Sequence, residues 1–227
     1  MQRYINPTSD QWKELTQRGS ASYASLEPLA KEVFEQVAKN GDQALLAYTE
    51  KFDKVKLDDF SVNTDEIESA IARVPKKLKW AIQKAKENIY NFHRAQKTNE
   101  VKVETQMGVN CWQKKLPIEK VGLYIPGGSA PLFSTILMLA IPAQVAGCSE
   151  VLLCSRPDSN GKLPDVILYT AYLCGVESIF KLGGMQAIAG MTLGTPTLPK
   201  VDKLFGPGNQ YVTVAKQLAT QYQVAID

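Results

Sequence analysis

Apolar positions recur at helical spacing through the first hundred residues and at strand spacing only afterwards. The pattern predicts a helix over 9–18, starting at a Ser9/Asp10 cap. A second over 25–41 has Ser25 as N-cap, Glu27 and Pro28 in its first turn, and Leu29, Val33, Phe34 and Val37 on one face before Gly41 stops it. Asp42 can cap a third over 43–53, and helices over 63–74 and 75–97 follow. The last of these carries Leu78, Ile82, Ala85, Ile89 and Phe92 along one stripe. Alternation over 101–117 predicts a β-ribbon joining two parts, with no strand before it. From Lys120 the texture changes. Short apolar runs at 121–125, 151–155, 178–183, 202–206 and 223–227 alternate with helical stretches near 131–146, 163–174, 185–193 and 208–220. Strands apolar on both faces, separated by helices, make a parallel sheet covered on two sides, hence an open, doubly wound α/β domain.

Ligands of such sheets bind at the carboxyl ends of the strands. There this sequence places three glycine-rich loops, "YIPGGSAP", "LGGMQAIAG" and "FGPGNQYV". Glycines admit close backbone approach, and the helix starts that follow present free N–H groups to an anion. Ser129 and Pro131 fit the start of the first helix, Pro207 and Asn209 that of the last. The first loop matches neither G-x-G-x-x-G nor the P-loop pattern. Tyr124 ends an aliphatic strand and can lay its ring on a base or ribose, or serve as a core aromatic. Gln186 and Asn209 each read as ligand contact or cap. The second strand ends "CSRPD", with Arg156 nearer than Asp158, so the usual acidic ribose contact is not expected.

Composition closes off several classes. A net charge of +3 with mixed signs lacks the basic stripe that nucleic acid requires, and the lysines of 75–86 read as a solvated helix face. No signal peptide is visible, and the longest apolar run, near 132–146, is too short and too interrupted to span a bilayer. Cys111, Cys148, Cys154 and Cys174 show no C-x-x-C pairing and read as free thiols, three of them in apolar contexts. The single histidine, His93, lies on a polar helix end. With it alone, no zinc spacing and no Ser-His-Asp or Cys-His arrangement can be drawn.

The stretches "VGLYIPGGSAPLFSTILMLAIPAQVAGC", "GGMQAIAG" and "KVDKLFGPGNQYVTVAK" resemble the histidinol dehydrogenase family, as do "GDQALLAYTEKFDK" and "NIYNFHRAQK". The resemblance covers essentially the whole chain. It implies an incomplete Rossmann-like domain over 120–227 that holds NAD through Tyr124, Gln186 and Asn209. A helical segment (1–100) and a β-ribbon linker (101–119) precede it. It implies a cytoplasmic homodimer that oxidises L-histidinol to L-histidine, via histidinal, with two NAD; a relative acting on another small alcohol, such as a sulfonated diol, and a nucleotide-binding or assembly module without catalysis are the alternatives. Family members are nearly twice as long. Their zinc ligands, Glu/His acid–base pair and histidinol pocket come later, so no catalytic or metal residue carries over, and a fragment cut near a domain boundary and inactive alone is expected. The helices of 25–97, with little sheet of their own, are expected to leave Leu29, Val33, Val37, Leu78, Ile82 and Ile89 in need of a partner.

Overall fold

A computed structural model of the chain describes residues 3–16, 23–128 and 131–227. Residues 17–18 of the first expected helix, and Ser129, lie outside them. Five helices come first: α1 (Ser9–Leu15), α2 (Glu27–Asn40), α3 (Asp42–Tyr48), α4 (Thr64–Arg73) and α5 (Lys76–Ala95). Pro28 sits in the first turn of α2, where its missing N–H costs nothing, and Ala30, Val33, Phe34 and Val37 form the buried face. Asn63 caps α4 reciprocally: its side chain accepts from the Glu66 N–H at 2.9 Å while the Glu66 carboxylate accepts from the Asn63 N–H at 3.2 Å. Such a capping box contributes about 1 kcal/mol. Between α3 and α4 the expected continuous helix to 53 is not formed. α3 gives way at Thr49–Asp53 to a π-helical turn, closed by Lys54 in the left-handed region.

The ribbon is a hairpin of β1 (Val101–Gln106) and β2 (Val109–Gln113), exposed at every position. The sheet follows, with β3 (Lys120–Ile125), β4 (Glu150–Ser155), β5 (Ser178–Phe180), β6 (Lys203–Phe205) and β7 (Ala225–Ile226) alternating with α6 (Phe133–Ala146), α7 (Asp165–Leu173), α8 (Gly184–Leu193) and α9 (Gln210–Ala219). All strand pairs are parallel, in the order β5-β4-β3-β6-β7. In chain order this is 3-2-1-4-5, the doubly wound Rossmann arrangement without its sixth strand. β5 is shorter than the expected 178–183, and its outer edge is taken by an element the sequence pattern did not show. Ser61 bridges Phe180 antiparallel; the Val62 N–H donates to the Ile179 carbonyl at 2.9 Å and the Lys181 N–H to the Phe60 carbonyl at 2.6 Å. α6 starts two residues later than expected, with Leu132 rather than Ser129 or Pro131 at its cap position.

The strands alternate between two cores. Leu123, Ile125, Leu153 and Ile179 pack with α6 and α7, while Tyr124, Leu152, Cys154 and Leu204 pack with α8 and α9. The helical segment then splits around the sheet: α2 and α3 pack on α8 and α9, and α4 and α5 on α7 and α6. The faces expected to need an outside partner find it within the chain. Val33, Val37 and Ile82 are buried, and Leu29, Leu78 and Ile89 are half-buried against the two cores. α8, apolar apart from Gln186 and Thr192, is buried along its length as a middle layer must be. Cys154 and Cys174 are buried, Cys148 is half-buried and Cys111 exposed, all as free thiols. Burial pushes the Cys174 thiol up to about 11 and the Cys154 thiol higher still, so neither is a ready nucleophile.

Candidate functional site

The chain runs outward from β3 through β4 to β5, then returns to β6 on the other side of β3. The loops leaving β3 and β6 therefore diverge to opposite faces of the sheet, and at that switch point a crevice opens. A cleft of about 500 Å³ lies there. Tyr124, Gln186 and Asn209 all line it, together with Gly127, Arg156 and Gly184. Leu29, Phe52 and Asp53 come to it from the helical segment. A neighbouring hollow of about 350 Å³ shares Asp53, Pro126, Gly127 and Arg156 with it, and Asp158 lies there instead.

Each side chain is placed by an identifiable local cause. The Tyr124 hydroxyl accepts the Gly184 N–H at 3.1 Å, which leaves its own proton free to donate. Burial pushes its pKa up, so the phenol stays neutral. Gln186, in the first turn of α8, is fully buried; its Nε2 donates to Asp53 Oδ2 at 3.0 Å, while its Oε1 has no partner among the described residues. Asn209 is the N-cap of α9, its Oδ1 accepting from the Tyr211 and Val212 N–H groups at 3.1 and 3.2 Å. Its capping and ligand-contact readings are therefore compatible, since the cap uses Oδ1 and the amide nitrogen remains.

Sequence reasoning missed Asp53. Its Oδ1 lies 2.7 Å from Arg156 Nε. Burial raises its pKa, against the lowering effects of Arg156 and Gln186. The Arg156 stem is clamped on both sides: a Cβ on Gly127 or Gly183 would stand 2.7 or 2.8 Å from the Arg156 Cβ. Nothing in the local sequence announces Asp53: the π turn that brings it to the cleft, of a kind that gathers at functional sites, is visible only in the fold.

A buried amide oxygen without a donor is costly, and a ligand donor would satisfy it. With a phenol donor and a free amide nitrogen beside it, the cleft suits a polyhydroxylated, nitrogen-bearing ligand such as a dinucleotide. It does not suit a metal: among the described residues, no group of three or more His, Cys, Asp or Glu could hold one.

Fold and cleft together define a Rossmann-like α/β protein with a crevice at its switch point. The family model for histidinol dehydrogenase matches residues 16–227, and the chain belongs to that family. It is 52% identical to a histidinol dehydrogenase of Bacteroides thetaiotaomicron over 221 residues, which is 97% of this chain and 52% of the relative. It is 49% identical to one of Escherichia coli over 94% of this chain and 49% of the relative. A crystal structure of histidinol dehydrogenase from Elizabethkingia anophelis superposes over the whole chain and 52% of its own, with a TM-score of 0.93 at 54% identity. The chain spans about half the length of the curated relatives it matches.

Proposed function

We propose that this chain is the NAD-holding half of an enzyme that oxidises L-histidinol to L-histidine, via histidinal, with two NAD. The observation that carries the reading is the cleft at the switch point, where Tyr124 from the end of β3, Gln186 from the first turn of α8 and Asn209 from the cap of α9 converge. The relatives' names favour histidinol over another small alcohol. NAD, when bound, supplies the hydride acceptor. The residues of this chain bind and orient it: Tyr124 donates, Gln186 accepts, and Asn209 donates through Nδ2 while holding α9. Residues 120–227 form the cofactor-holding unit, 101–119 the link, and 1–100 part of a larger helical domain. Zinc, which the family resemblance implies, does not fit the described residues. Its ligands, the acid–base pair and the histidinol pocket belong to the part of the relatives' length that this chain does not span.

A homodimer is part of the same proposal. The β1–β2 hairpin exposes Val101, Val103, Val109 and Trp112, and an isolated two-stranded ribbon is marginal in water without something to pack on. A cytoplasmic place belongs to the same proposal and rests on the family resemblance; among the described residues no helix is long and apolar enough to cross a membrane.

Two measurements test the reading. Titration with NAD separates the two roles of Asn209. Asn209→Asp keeps the cap but loses the donor, so NAD affinity should fall about tenfold at unchanged stability. Asn209→Ala should weaken binding similarly and cost about 1 kcal/mol besides. Equal NAD affinity in wild type and both variants would remove Asn209 from the site. In an NADH-absorbance assay with histidinol and added zinc, the chain alone should give no turnover above a protein-free blank; clear turnover places the chemistry within these residues.

A further inference from the structure

We infer that Asp53 is a positioning residue: it fixes the orientation of the Gln186 amide so that the cleft presents an acceptor, and thereby selects the donor-bearing part of the ligand. The inference rests on the cofactor reading of the cleft.

A carboxylate only accepts hydrogen bonds, so an amide facing it must present its nitrogen. Gln186 Nε2 does so, at 3.0 Å from Asp53 Oδ2. The oxygen is then forced the other way. It is buried, and it finds no donor among the described residues. Gly184 leaves room for it, since a Cβ there would stand 2.8 Å from Oε1. Asp53 is itself held. Its second oxygen pairs with Arg156, whose stem is gripped between Gly127 and Gly183. The π turn that ends at Asp53 delivers the carboxylate from the helical segment to the sheet. A relay thus runs from the backbone of two glycine-rich loops, through Arg156 and Asp53, to one amide oxygen.

A buried acceptor at the cleft lining with no protein donor has a definite chemical preference. A ribose hydroxyl or an exocyclic amide or amine can donate to it. A phosphate oxygen cannot, and would be repelled. Gln186 therefore contacts the donor-bearing sugar or base of a dinucleotide, with the pyrophosphate placed elsewhere in the crevice. If the amide were free to turn over, half of its orientations would offer the ligand the wrong group.

Calorimetric titration with NAD tests this, at a temperature where every variant is folded by circular dichroism. Asp53→Asn removes the directional constraint and should weaken NAD binding about tenfold. The exchanged pair Asp53→Asn with Gln186→Glu restores it: the new amide donates to the new carboxylate, whose other oxygen still accepts from the ligand. Affinity should return to within about threefold of wild type. Failure of the exchange to recover binding overturns the inference, because a role confined to the ion pair with Arg156 predicts no recovery. Gln186→Leu separates the two layers of the argument. If it weakens NAD binding while Asp53→Asn does not, the cofactor reading stands and the positioning role fails. If Gln186→Leu binds NAD like wild type, the cofactor reading itself is wrong, and the inference falls with it. Should Asp53→Asn not fold, the unsubstituted chain still decides. The Gln186 side-chain amide protons should exchange slowly with solvent, with and without NAD, and exchange as fast as that of surface glutamines overturns the inference.

Discussion

Gly206→Ala is expected to be the most damaging single-methyl change in the chain. Gly206 follows β6 with φ +130°, a conformation that L side chains rarely adopt. A Cβ built there would stand 2.1 Å from the Tyr124 carbonyl oxygen and 3.0 Å from its carbon, both backbone atoms of the central strand. Neither side can yield. The Gly206 N–H donates to Asp227 Oδ2 at 2.9 Å, and its carbonyl accepts from the buried Lys216 Nζ at 3.0 Å. Lys216 also pairs with Asp227, which closes a small ring of contacts around the loop. Backbone strain and overpacking together should cost about 4 kcal/mol. Relief would come only by moving the loop that carries Asn209, so NAD affinity should fall as well. Urea unfolding gives the first quantity and titration of the folded protein the second. A stability loss below about 1 kcal/mol would show that the loop repacks freely, contrary to the contacts described.

The second large effect is expected at Phe34. Its side chain is fully buried on α2, with its ring 5.3 Å from that of Tyr222 beyond α9. Truncating a buried phenylalanine to alanine costs about 3–5 kcal/mol, a large share of a domain's net stability. The informative part is how that loss is distributed. α2 packs on α8 and α9 and shares their core, so the helical segment and the sheet should unfold in one transition, lowered but not split by Phe34→Ala. Calorimetry and limited proteolysis followed together decide this. Early release of residues 23–97 from a protease-resistant sheet would restore the view that the helices need an outside partner.

The sequence made the sheet legible because buried parallel strands announce themselves: 121–125 and 151–155 are apolar on both faces and are bounded by turn residues. Tyr124, Gln186 and Asn209 were legible for a related reason. Each lies near a glycine-rich loop at the carboxyl end of a strand or the start of a helix, where the spacing allowed a ligand contact beside a core or capping role and the family resemblance chose between them. Asp53 was not. Its role depends on Gln186, 133 residues away, and on a helix that widens into a π turn. Phe60–Val62 was missed because three residues bridging a strand edge are too few to show a period of two. The destiny of the helical faces was misjudged since amphipathicity shows that a face is covered, and leaves open whether the cover comes from the same chain.

The Phe60–Val62 bridge has a consequence for how the chain is made. β5 would otherwise present bare N–H and C=O groups along one side of the sheet, an invitation to pair with another chain. The residues that cover it precede it by more than a hundred positions, so they leave the ribosome first, with the helices that anchor them. The seal is in place before the seam exists. A circular permutant that moves residues 23–97 behind the sheet would encode the same contacts in the opposite temporal order. It would expose the seam during synthesis even though the finished molecule is unchanged.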